Sequence, residues 1–216
     1  MPPPGSPSPR HRFSRWDVLR VLACALILKV TAGVVLVYRD YFPANFDADF
    51  LLLRESYFFG AYSWAFYVHI LAGPVTLVVG LLLMSERFRH RFTSWHRRLG
   101  RVQVVCVLLL SLSGLWMSQY AATGTIAGFG FASLSVVTGL FVVLGFRSAV
   151  RRKFVAHRRW MWRCYLMLCS AVVLRLVAGL ATVLGVEGNW TYQAAAWGSW
   201  LVPLGVYEVR RVWFSK

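Results

Sequence analysis

Acidic residues are scarce in this sequence: eight Asp and Glu stand among 216 residues, against 24 Lys and Arg. None of the eight forms the close carboxylate pair that general acid–base work requires. Cysteine is scarce as well. The four Cys, at 24, 106, 164 and 169, include no CxxC spacing and all fall in apolar runs, so they read as packing residues rather than as disulfides or a zinc site. HExxH, a Walker loop and a nucleophile elbow are absent. Charged residues make up 15% of the chain and hydrophobic ones 58%. Soluble domains run at about 25% and about 45–50%, so an ordinary soluble globular domain is excluded.

What is present is a series of long apolar runs. A window of about 19 residues finds six, at 18–38, 60–84, 100–120, 126–146, 160–184 and 189–207. In hydrocarbon a chain must satisfy its own N–H and C=O groups, and runs of this length do so as helices. The expected fold is therefore an all-α polytopic bundle of about six transmembrane helices. The sixth run is short and contains Pro203, which leaves five spans plus an interfacial segment as an alternative. Residues 1–15, opening MPPPGSPSP, read as a disordered cytoplasmic tail, and 16–216 as one membrane domain. The first apolar run resembles a signal peptide in its basic flank, yet it is long and lacks a cleavage site, so it is expected to be retained.

The basic residues are distributed unevenly. With the N-terminus inside, eighteen Lys and Arg fall in the inner segments, counting Arg101 at the very start of the third run with its loop; two (Arg39 and Arg54) fall outside, and four lie deeper within the spans. This asymmetry places both termini in the cytoplasm. It also accounts for the positive charge without nucleic acid, for which no recognition module is present. The basic loops are suited to anionic lipid headgroups.

Two sets of residues carry possible chemistry. Lys29, His69 and Arg175 lie at a common depth, within about 5 Å of the bilayer centre as judged from helical rise. No carboxylate lies within the spans to pair with them, and a buried cation without a partner is costly. One reading is an anion-binding layer completed by a ligand, with His69 as a proton-coupling group. The other is that Lys29 snorkels and Arg175 bonds backbone carbonyls. The second set is His96 and His157, each opening a His-Arg-Arg triplet at the inner end of a span. Two imidazoles from different helices are what axial ligation of a haem b iron requires, with Arg163 or its neighbours holding propionates. Glycines stand at helical spacing beside two of these histidines: His69, Gly73 and Gly80, then His96, Gly100 and Gly114. Such relief suits a neighbouring helix or a flat macrocycle. Aromatics from Tyr57 to Tyr67 follow the first outer loop and read as an interfacial belt or a substrate vestibule.

The segments Tyr67-Val68-His69-Ile70-Leu71-Ala72-Gly73, His96-Arg97-Arg98-Leu99-Gly100-Arg101, Ala156-His157-Arg158-Arg159-Trp160-Met161-Trp162-Arg163 and Leu174-Arg175 resemble the bacterial predicted membrane protein family called domain of unknown function 2306. The resemblance spans roughly residues 60–180. It implies a polytopic protein of the bacterial cytoplasmic membrane and carries no reaction with it. It also implies that His69, His96, His157, Arg163 and Arg175 occupy motif positions.

Three functions stay open at this point: a haem b or quinone-linked electron-transfer protein with a redox partner, an anion or lipid transporter or binding protein, and a non-catalytic accessory subunit. Transport would call for a homo-oligomer, because the chain has no evident inverted repeat.

Overall fold

The computed structural model describes residues 14–48 and 50–213. The N-terminal tail with Arg10, His11 and Arg12, the loop residue Asp49 and the terminal Lys216 lie outside the described residues.

Among the described residues the chain is helical throughout, in six long helices and two short ones: α1 (Arg15–Val37), α2 (Glu55–Phe58), α3 (Ala61–Met84), α4 (Glu86–Arg91), α5 (Thr93–Met117), α6 (Thr125–Val150), α7 (Phe154–Leu184) and α8 (Asn189–Trp213). Short 3₁₀ turns follow α1, at Tyr38–Tyr41, and α5, at Ser118–Tyr120. Five of the long helices, α1, α3, α5, α6 and α7, are long and apolar enough to cross a membrane. The last, α8, has 25 residues and runs unbroken through Pro203, but has no stretch as apolar as those of the other five. The protein is thus a polytopic helical bundle.

Helix starts lie further into the basic loops than hydropathy alone indicates. α5 begins at Thr93 and α7 at Phe154, where the apolar runs begin near 100 and 160. A polar first turn keeps its helical hydrogen bonds while lowering the window average, so His96 and His157 sit on helices rather than in loops. At the start of α1 the Asp17 carboxylate accepts the Ser14 N–H at 3.2 Å, half of a capping box. α7 ends at Gly185, whose φ of +65° is the left-handed conformation that glycine adopts without strain.

From α3 onward, short connections make successive long helices run in opposite directions. α3, α5, α6 and α7 pack in sequence, and α3 also touches α7, which closes a four-helix ring. α8 lies outside it against α6 and α7, and α1 against α3 and α7. One apolar core fills the ring towards the arginine-rich end, with Leu77, Val107, Val142, Tyr165 and Leu168 drawn from all four helices. A second, aromatic core caps the opposite end. There Leu51, Phe58, Tyr62 and Phe66 are buried beneath the segment 38–60, while Phe59 and Trp64 face outward. The aromatic run therefore divides between a packed cap and an exposed fringe.

The glycine stripes prove to be packing relief at some positions only. A methyl group at Gly80 would strike the Tyr165 ring, so this position admits α7 against α3. Gly100 has open space around it.

Candidate functional site

Pro74 shapes the centre of α3. It has no N–H to give to the carbonyl of Ile70, four residues earlier, which would otherwise be left bare in an apolar setting. The Tyr38 hydroxyl, from the turn after α1, donates to that carbonyl. Nearby the Tyr67 hydroxyl donates to the Tyr41 carbonyl at 3.0 Å. These two bonds fasten the end of α1 to α3 and leave a space beneath the aromatic cap.

That space is a cavity of about 510 Å³, bordered by all six long helices and by the segment 38–60. Its volume falls within the roughly 300–1,000 Å³ of small-molecule sites. The wall is mainly apolar, with hydroxyls from Tyr38, Tyr62, Ser135 and Tyr192 interspersed. Two guanidinium groups, Arg54 and Arg175, belong to the lining, and among the described residues no carboxylate does.

Arg54 is held in an aromatic clamp. Its Nε donates to the Phe50 carbonyl at 2.6 Å, and Nη1 donates to the Tyr57 hydroxyl at 2.9 Å and to the Tyr120 carbonyl at 3.0 Å. The guanidinium also lies over the Phe50 ring, 4.7 Å from its centroid. All these partners are neutral, so among the described residues nothing compensates its charge. Hydropathy and charge place Arg54 only in an outer loop, with no role beyond topology. The signal that marks it is its position among Phe50, Tyr57 and Tyr62, aromatics that bury a guanidinium without neutralising it.

Arg175, on α7, donates from Nη1 to the Ala171 carbonyl at 3.0 Å, one turn back on its own helix. Its side chain is exposed at the protein surface and also lines the cavity, so it stands where the two meet. Among the described residues no carboxylate is bridged to Arg175 or Arg54.

His69, on α3, faces the same cavity. Its Nδ1 lies 3.3 Å from Ser113 Oγ, and that hydroxyl donates to the Leu109 carbonyl at 2.7 Å. With its proton committed there, Ser113 Oγ accepts from Nδ1–H, which leaves Nε2 as the ring's basic nitrogen. Gly114 makes room for this arrangement: a methyl group there would lie 2.8 Å from Ser135 Oγ and 3.1 Å from His69 Cε1. Two further hydroxyls of the lining, Ser111 and Ser199, are buried and make no hydrogen bond within the protein.

The proposed layer is thus brought together in part. His69 and Arg175 share the cavity, whereas Lys29 is exposed on α1 and takes no part in the lining.

The second candidate set lies at the arginine-rich end, away from the cavity. His157 Nδ1 lies 2.9 Å from the Gly145 carbonyl and donates to it, while His96 Nδ1 is buried without a partner. Arg163 forms a two-pronged pair with Glu208 of α8, Nε to Oε1 at 2.6 Å and Nη2 to Oε2 at 3.1 Å, and lies over the Trp160 ring. Its charge is already matched, 45 residues along the chain, by a carboxylate that follows the last apolar run in the sequence. Glu86 likewise bridges to Arg158 and, at 3.8 Å, to Arg89. A second, far smaller cavity of about 10 Å³ lies between α3, α5 and α7, lined by Gly80 and Tyr165, and neither histidine borders it. Among the described residues no group of three or more His, Cys, Asp and Glu is placed to hold a metal, and all four cysteines are free.

No curated protein and no solved structure matches this chain. The family model described as "Predicted membrane protein (DUF2306)" matches residues 66–209, from the first turns of α3 nearly to the end of α8. That is two thirds of the sequence and includes His69, Arg175 and the whole four-helix ring apart from the start of α3; α1, Arg54 and the aromatic segment 38–60 fall outside it. The chain belongs to the DUF2306 family of predicted membrane proteins.

Proposed function

We propose that this protein binds an amphipathic anion, an acid with an apolar body, in the cavity beneath the aromatic cap. The observation that carries the reading is the presence of two guanidinium groups and, among the described residues, no carboxylate in the lining of a mainly apolar chamber. A cation in such surroundings costs several kcal/mol unless an anion or water offsets it, and a carboxylate or phosphate accepts paired N–H bonds from Arg. The apolar wall supplies the remaining affinity at about 25 cal/mol per Å² buried. Ser111 and Ser199, whose hydroxyls lack partners, favour a ligand or waters bearing oxygen. The arginine-rich end, read by the positive-inside rule, faces the cytoplasm, which puts the cavity in the outer half of the bilayer. Whether binding ends in transport depends on an assembly of copies or on motion within one.

The test is headgroup selectivity in detergent-purified protein. Laurate is expected to raise the melting temperature in proportion to its occupancy, while dodecanol and dodecyltrimethylammonium, matched in chain length, have little effect. Equal stabilisation by all three would reject the reading.

The haem b and quinone readings have less support. His96 and His157 border neither cavity, and Arg163, the candidate propionate partner, is engaged by Glu208. A dithionite-reduced minus air-oxidised spectrum of protein expressed with haem precursor decides the haem case: Soret and α bands near one haem per chain would restore it.

A further inference from the structure

α1 differs from the other spanning helices in how little of it is packed. In its most apolar stretch 6% of residues are buried, against 28–33% for α3, α5, α6 and α7. Among its described side chains only Thr31 is buried. Of the helices it touches α3 and α7 alone, with no contact to α5, α6 or α8. Yet α1 supplies part of the cavity wall, through Val30, Thr31, Val34 and Val37. On that side one loosely packed helix separates the chamber from the space that lipid occupies. The firm attachment lies at its end, where Tyr38 bonds the Ile70 carbonyl and Tyr41 belongs to the aromatic cap.

Arg175 marks the same seam from the α7 side, since it both lines the cavity and reaches the surface. A charged group at the boundary between chamber and bilayer is placed to meet an acidic headgroup as it enters. By contrast, the cap end is closed by Leu51, Phe58 and Phe66, each no more than 1% exposed.

We propose that the ligand is a bilayer-dissolved acid which enters sideways between α1 and α7, with α1 as the wall that moves and Arg175 as the first group to engage the head. This rests on the cavity being the binding site and adds the ligand's source and route. Elements that gate sites are drawn from the weakly packed parts of a fold, and α1 hinged at Tyr38 fits that description. The segment 14–65, outside the family match, thereby becomes the device that controls access to a chamber built mainly on the family core.

Two native thiols allow a test in the full chain. Cys24, exposed on α1, and Cys169, half-buried on α7, stand on the two helices that border the seam. In nanodiscs, a short bismaleimide joining them, verified by intact mass, is expected to slow loading of 11-(dansylamino)undecanoate at least tenfold. Release of probe bound beforehand should slow by a similar factor, and Cys24→Ser protein given the same reagent should load at the untreated rate. Unchanged loading of the joined protein would overturn the route.

A second measurement needs no cross-link. As lipid is added at fixed probe, the loading rate should follow the probe's mole fraction in the bilayer. A rate that follows the free aqueous concentration would assign entry to water and overturn the proposal while leaving the binding site intact. If the untreated protein takes up no probe at all, the binding site itself is wrong and both readings fall.

Discussion

The hydroxyl of Tyr38 donates to the carbonyl of Ile70, the one acceptor in the middle of α3 that Pro74 deprives of its helical partner. A helix break in an apolar interior is tolerated when another part of the chain satisfies the freed carbonyl, and here the partner comes from the turn that ends α1. The bond joins the element outside the family match to the helix that carries His69.

Tyr38→Phe is therefore expected to destabilise the protein by about 1–3 kcal/mol, the cost of leaving a buried acceptor unpaired. The same substitution in a Pro74→Ala background should be close to neutral, because an alanine at that position restores the N–H that Ile70 needs. Denaturation of the four proteins in one detergent, read as a double-mutant cycle, checks this. Equal costs in both backgrounds would show that the hydroxyl serves something else.

Gly114 and Gly100 lie on one stripe of α5 and should behave oppositely. Gly114→Ala crowds Ser135 and His69 and is expected to cost about 1–3 kcal/mol while weakening ligand binding. Gly100→Ala meets open space and should be neutral or stabilising by up to about 1 kcal/mol through helix propensity. Melting temperatures of the two variants, with binding measured for Gly114→Ala, provide the check.

The Arg163–Glu208 pair predicts an acid limit to stability. Its hydrogen bond to Arg163 holds the Glu208 carboxyl, past the apolar stretch of α8, below the ordinary glutamate range. A carboxyl with a depressed folded-state pKa contributes stability that is fully present above its unfolded value, near 4.5, and is lost as pH falls through the depressed one. Glu208→Gln should remove that part of the acid sensitivity and lower stability at neutral pH, because Arg163, whose side chain is 12% exposed, loses its partner. Stability profiles of both proteins from pH 7 downward would show the curves converging in acid; parallel curves would contradict the assignment.

Much of this architecture was legible in the chain because bilayer physics leaves few choices. Runs such as 60–84 and 126–146 coincide closely with α3 and α6. Helix starts were less legible, since a polar first turn such as Thr93–Leu99 lowers hydropathy without breaking hydrogen bonds. Helical rise leads to the expectation that His69 and Arg175 share a level, and in the structure both line one cavity. Rotation was not legible: Lys29, expected at the same depth, is exposed on α1 and outside the lining, because which face of α1 meets α3 depends on contacts that no single sequence records. Long-range pairs stayed hidden for the same reason. Nothing near Arg163 announces Glu208, nor does anything near Arg175 announce Arg54 as a fellow member of the lining.

The central claim is that the guanidinium at position 175 binds the head of an amphipathic acid, and Lys29 is its internal control, equal in charge and expected at the same depth from helical rise but outside the cavity. The most direct measurement is the affinity of 11-(dansylamino)undecanoate for the wild type, Arg175→Gln and Lys29→Gln, each shown to be folded by its melting transition. The account predicts a loss of tenfold or more for Arg175→Gln, about the worth of one charge-assisted contact, and wild-type affinity for Lys29→Gln. Equal affinity in all three proteins, or a loss confined to Lys29→Gln, would contradict it.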